Sequence, residues 1–253
     1  MSSDRPGSAP SAQTASRPPP AFDRFLVPVV ALGLGLVLIA LAQPRLGAGL
    51  DMIPLKLTAD RMRAGEPVPI PELKRAVQAG DAALARLADA GVQRDLGLVA
   101  LDLAGRTELD PVARADFLGQ AIAASRAALA GDPAQPYVWL RLAQAEARRG
   151  GLGPKVIQAY RMSLLTGPKM LDLLRPQVDL GLLLWPVLDP ATRADVTRRI
   201  RGLARFKTWQ LADIARRRLA IGPVRAALAA EPDLKAEFDR LYLKRRREAQ
   251  GRR

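Results

Sequence analysis

Tyr137 to Pro168 reads YVWLRLAQAEARRGGLGPKVIQAYRMSLLTGP, and the fold is decided there. Two helix-forming runs flank a turn at Gly150-Gly151-Leu152-Gly153. Ala143 and Ser163 are small enough for two antiparallel helices to approach closely. Trp139 and Tyr160 can fill the space between helical pairs, and Gly150 and Pro168 end the helices. Working outward, Asp110-Pro111, Asp132-Pro133 and Asp189-Pro190 each set an N-cap acceptor before a proline suited to the first helical position, and Glu231-Pro232 is a weaker version. Upstream, Pro71 opens a helix whose Leu73, Ala76, Val77, Leu84 and Leu87 share one face. Gly80 interrupts that face, Gly91 ends the helix, and Arg94 to Ala104 forms the next. No stretch alternates as a strand does. Aromatic residues are only 4% of the composition, so the core must be built from Leu, Ala and Val. The expectation is an all-α fold made of helical hairpins.

The N-terminal part has a different character. Phe25 to Pro44, FLVPVVALGLGLVLIALAQP, carries no charge and as a helix covers about 30 Å, the thickness of a bilayer core. The expected division is a disordered Pro/Ser-rich tail over 1–24, a transmembrane helix acting as a signal anchor over 25–44 and an extended linker over 45–70. A helical domain over 71–247 and a basic tail over 248–253 follow. Ala40-Leu41-Ala42 also matches a small-x-small cleavage site, so a signal peptide cut before Gln43 is the competing reading. Arg5, Arg17 and Arg24 precede the span and Arg45, Lys56 and Arg61 follow it, a nearly balanced count. Arg24 at the boundary favours a single-pass protein of the inner membrane, with its N-terminus inside and its helical domain in the periplasm.

Charge and chemistry narrow the function. Four basic and two acidic residues precede Gly47, which leaves 35 basic against 23 acidic residues and a net charge of +12 beyond it. Such a domain attracts polyanions in a salt-dependent way. The chain has no histidine and no cysteine, so imidazole bases, thiolate nucleophiles and the common zinc sites are excluded. Beyond the span the only serines are Ser125 and Ser163, both at positions where a packed helix wants a small residue. A Ser-Lys pairing of Ser163 with Lys155 or Lys169 is the weaker alternative. No catalytic residue, cofactor or metal site is expected.

Tyr137 to Pro168 resembles a tetratricopeptide repeat. Trp139, Leu142, Ala143 and Gly150 fall at the spacing of that family's first helix and turn, and Tyr160, Ser163 and Pro168 match the second helix with one extra residue in the turn. A fainter copy precedes it, with Leu96 and Gly97 in one helix and Ala121, Ala128 and Pro133 in the next. The resemblance implies a right-handed α-solenoid that binds proteins; an unrelated helical bundle is the alternative. Its ligand-facing positions would be Tyr137, Leu140, Gln144 and Arg148. RMSLLTGP (161–168), VDLGLLLWPVL (178–188) and DPATRADVTRRIRGLARF (189–206) are more loosely similar to repeat-containing proteins of exopolysaccharide assembly and export loci. That implies a scaffold for envelope machinery.

The arginine-rich segments suggest a second class of partner, acidic glycan or anionic lipid. The candidates are Arg198, Arg199, Arg201, Arg205, Lys207, Arg216, Arg217 and Arg218, together with Lys244, Arg245, Arg246 and Arg247. Nucleic acid ranks lower, because no recognised nucleic-acid fold is present and Phe206 and Trp209, like Trp139 and Trp185, read as core residues. An uncleaved anchor leaves residues 1–42 on the mature protein. Mass spectrometry of the membrane-extracted chain is expected to show the full mass; a chain beginning at Gln43 would identify a cleaved signal.

Overall fold

The computed structural model describes residues 21–250, which form helices joined by short turns and contain no strand. Most of the 1–24 tail and the last three residues of the basic tail lie outside the described residues. The chain divides into two compact units at Leu46/Gly47. The apolar run lies in α1 (Ala21–Asp51), which continues past Pro44. Its Pro28–Asp51 stretch has a mean hydropathy of 1.9 and is long and apolar enough to cross a membrane. Val29, Leu32, Leu36 and Ile39 are all exposed.

Residues 45–70 are not an extended linker: α2 (Ile53–Arg63) fills the middle of that span. Pro54 sits at the start of the helix, where a missing amide donor is harmless, so the prolines that suggested a linker do not oppose it. Leu55, Thr58 and Ala59 are buried against α3 (Ile70–Arg86) and α4 (Ala90–Leu103). Gly80 does not break α3. A Cβ there would come within 2.9 Å of the Leu55 side chain and 3.3 Å of Leu96, so glycine is what lets α2 and α4 close on α3. Gly91 ends nothing either. Asp89 caps α4 through the Val92 amide at 2.8 Å, placing Gly91 in its first turn.

A larger core joins α4, α5 (Pro111–Gly131), α6 (Pro136–Gly150), α7 (Pro154–Thr166), α8 (Leu171–Leu184), α9 (Pro190–Arg217), α10 (Ile221–Ala227) and α11 (Pro232–Gln250). The most extensive packing is of α4 with α5 and α6 with α7, followed by α9, which packs on both α11 and α8. Asp110 caps α5 and Asp189 caps α9 as expected. Asp132 does not cap α6. Its carboxylate accepts from the Ala134 amide and the Gln135 side chain, and the helix begins only at Pro136, the next proline able to open it. At the centre, the buried Tyr160 hydroxyl donates to the Gln177 carbonyl at 2.8 Å, while Gln177 Nε2 donates to the Ser163 carbonyl and hydroxyl. Gly181 lies against this cluster, and a Cβ on it would meet the Tyr160 hydroxyl and both Val196 methyls.

Two backbone irregularities mark α9. Lys207 leaves the helical region (φ −151°, ψ 65°) beside Thr208, whose hydroxyl donates to the Ala204 carbonyl at 2.7 Å. A threonine bonded back to the preceding turn accompanies helix bends of this kind. After the C-cap, Leu219 adopts φ +53° and is 87% exposed, a conformation that glycine takes without strain. Leu219→Gly is expected to raise the unfolding free energy by about 0.5–1 kcal/mol. Gly181→Ala should lower it by about 1–3 kcal/mol through overpacking. Urea unfolding followed by circular dichroism checks both.

Candidate functional site

α6 carries the residues expected to face a partner, and it presents them with one change. Pro136 at its start and the positive-φ Gly151 after its end bound the helix. Val138, Leu142, Ala143 and Ala145 point into the core, and Leu140 joins them. Leu140 is therefore not a surface residue. Tyr137, Gln144 and Arg148 share a face whose remaining helical position is Arg141, since residues three and four apart stack on one side. Tyr137 stands apart at the N-terminal end, half-buried against the core, and burial and then Asp172 raise its phenol pKa.

Arg141, Gln144 and Arg148 line a groove of about 450 Å³ with Met62, Leu98 and Arg106. The guanidiniums are held in place. Arg141 donates to the Arg94 carbonyl at 2.6 Å and Arg148 to the Leu101 carbonyl at 3.1 Å, both across to α4. Arg106 holds Asp102 at 2.7 and 2.9 Å and reaches the Val68 carbonyl at 3.2 Å. Behind Arg141, the buried Asp95 accepts from Arg94 at 3.1 Å and also from Arg63. Burial and the Arg63 charge pull the Arg141 pKa down to about 10, against the counter-pull of Asp95. It stays protonated at neutral pH. The lining carries Arg106, Arg141 and Arg148 against the single carboxylate of Asp102, so the groove is electropositive and suited to a carboxylate or phosphate.

The arginine-rich segment of α9 is mostly engaged within the fold. Arg199 is buried and donates to the Leu164 and Gly167 carbonyls, each at 3.1 Å, so it is not a surface cation, and burial lowers its pKa. Arg201 donates to the Ala227 carbonyl at 2.7 Å. Arg198 pairs with Asp195, Arg205 with Glu231, Arg216 and Arg217 with Asp213, and Arg218 with Asp179. Lys207 is exposed and has no ion pair among the described residues. On α11, Arg245 pairs with Glu248, while Lys244, Arg246 and Arg247 are exposed without an ion pair among the described residues.

Other sequence expectations can be placed in the same way. Phe206 and Trp209 are not core residues: they are 65% and 51% exposed, on the side of α9 opposite its buried Leu203, Ala204, Thr208 and Leu211. Trp139 and Trp185 do pack against the core. Ser163 is buried and bonded to Gln177, while Lys155 and Lys169 are exposed, so no Ser-Lys pair forms. Among the described residues no cluster of three metal-ligating groups occurs. Sequence reasoning missed two arginines of the groove: Arg141, by one position in helical register, and Arg106, which comes from the turn after α4.

Asp95→Asn removes the carboxylate shared by Arg63 and Arg94 and facing Arg141. Allowing for the partial exposure of two of these arginines, the loss is expected to be about 1–3 kcal/mol of stability. Inorganic phosphate should recover part of it in the variant and little in the parent. Urea midpoints with and without phosphate measure this.

No family model matches the chain and no curated protein matches it, which leaves the geometry of the groove to carry the functional argument.

Proposed function

We propose that the chain is a membrane-anchored scaffold without catalytic activity, and that it holds a partner protein by an acidic segment laid across the α4–α6 groove. The observation that carries this reading is the convergence of Arg106, Arg141 and Arg148 on one groove beside a single carboxylate. Two of them are fixed by hydrogen bonds to α4 carbonyls, so a bound carboxylate would meet donors that are already oriented, at little entropic cost. Gln144 adds an amide that can bond a peptide backbone. The pairing of α4 with α5 and of α6 with α7 supports a tetratricopeptide-like run of helical hairpins in the middle of the domain. The apolar α1 supports anchorage, and anchorage raises the effective concentration of the domain near other membrane proteins.

By resemblance alone, the partner belongs to the machinery that assembles or exports envelope exopolysaccharide, with the domain on the periplasmic side of the inner membrane. A second reading, a binder of acidic glycan or anionic lipid, draws on exposed Lys244, Arg246 and Arg247 of α11.

A photo-crosslinking residue at Gln144 in the full chain, activated in native membranes, tests the scaffold. The expected result is a discrete protein adduct with an acidic segment at the crosslink, about tenfold weaker when Arg148→Glu reverses the groove charge. An adduct indifferent to Arg148→Glu, or labelling of lipid or glycan alone, would overturn it.

A further inference from the structure

A different surface has the chemistry of a membrane interface. The turn between α7 and α8 and the middle of α9 frame a concavity of about 800 Å³ that includes Leu165, Leu171 and Phe206. These side chains stay largely open to solvent within it: Leu165 is 72% exposed, Leu171 59% and Phe206 65%. Trp209 follows one turn further along α9 and is half-exposed. Isolated exposed leucines are ordinary, but large apolar side chains gathered at one place mark an interaction surface.

The charges nearby are arranged to match. Arg161 and Arg198, both in the concavity, are held by Asp189 and Asp195. Those two are its only carboxylates, and each already has a cationic partner. Lys169 and Lys207 are exposed and make no ion pair among the described residues. Lys169 immediately precedes Met170 and Leu171, and Lys207 lies between Phe206 and Trp209. Lys169 thus lies among the apolar groups of the concavity, and Lys207 follows Phe206 directly in the chain. In a bilayer interface the aliphatic and phenyl groups reach the acyl region and an indole settles at headgroup depth. The ammoniums then meet lipid phosphates. A nucleic acid or a polysaccharide would leave Leu165 and Leu171 without apolar cover.

We propose that the α7–α9 surface lies in the headgroup layer of a bilayer containing anionic lipid, giving the chain a membrane contact separate from α1. It uses none of the residues of the α4–α6 groove, so it stands or falls independently of the scaffold reading.

The full chain in lipid nanodiscs tests this, because Trp209 can be read against the other two tryptophans of the chain. Discs of phosphatidylcholine and discs that also contain phosphatidylglycerol are prepared with brominated acyl chains, which quench indole at short range. In the anionic discs the parent is expected to show a quenched component that Trp209→Phe abolishes. Lys169→Gln with Lys207→Gln should weaken that component several-fold and make it fade at lower salt. Retention in discs without quenching of Trp209 would leave α1 as an anchor and overturn the proposal. So would equal quenching in neutral discs. A Trp209 shielded from a soluble quencher in native membranes, yet untouched by brominated lipid, would point to a protein on this surface and overturn it too. Failure of the chain to remain with either disc would refute both the anchor and this contact.

Discussion

The fold depends on guanidinium groups that reach from one helix to the backbone carbonyls of another. Every helix ends with carbonyls that have no partner within it, and in an all-helical domain with few aromatics those ends must be satisfied by something. Here arginine does it. Arg148 reaches Leu101 in the last turn of α4, Arg199 takes Leu164 and Gly167 at the end of α7, and Arg201 takes Ala227 at the end of α10. Each bond is charge-assisted and sits at the negative end of a helix dipole, so it stabilises more than a neutral contact would. Arg193 does the same for Trp185 and Pro186 in the short turn between α8 and α9, while also lying over the Trp185 ring.

This use of arginine changes the meaning of the net charge. A chain with 39 basic residues looks from composition like a polyanion binder, yet much of its α9 charge is consumed by carbonyls and carboxylates of the same domain. What remains for recognition is positional. It consists of guanidiniums fixed beside α4 that outnumber the carboxylates around them, and of lysines, which are free because a flexible ammonium is poorly suited to bridging two helices. The division of labour follows from side-chain geometry: a planar fork braces, and a solvated point charge attracts.

How much could be read beforehand follows the same logic. The all-helical character and some of the helix starts were legible because an Asp-Pro pair acts locally, as at Asp110 and Asp189, whereas Asp132, Gly80 and Gly91 misled. α2 was hidden because Pro54, Pro67 and Pro69 resemble a linker, and only the burial of Leu55 and Ala59 against α3 shows otherwise. The groove was half-legible: Gln144 and Arg148 follow from helical spacing, but choosing Leu140 over Arg141 needs the rotational register of α6 on its neighbours, a tertiary quantity. Phe206 and Trp209 were misplaced because their aromatic character was weighed above helical spacing, which sets them opposite Leu203, Ala204, Thr208 and Leu211. The bend at Lys207 lies in a stretch with neither glycine nor proline to announce it.

The interhelical arginine bonds also divide positions into two kinds with respect to sequence drift. The donor in each must be arginine, because lysine lacks the reach and the planar fork. The acceptor is a main-chain oxygen that any amino acid supplies. Leu101, Leu164 and Ala227 could therefore change their side chains, within the limits of packing, without losing the contact they provide. Descendants of such a chain could keep the architecture while one side of every brace varied, and its helical pairs would grow less alike in sequence faster than in shape.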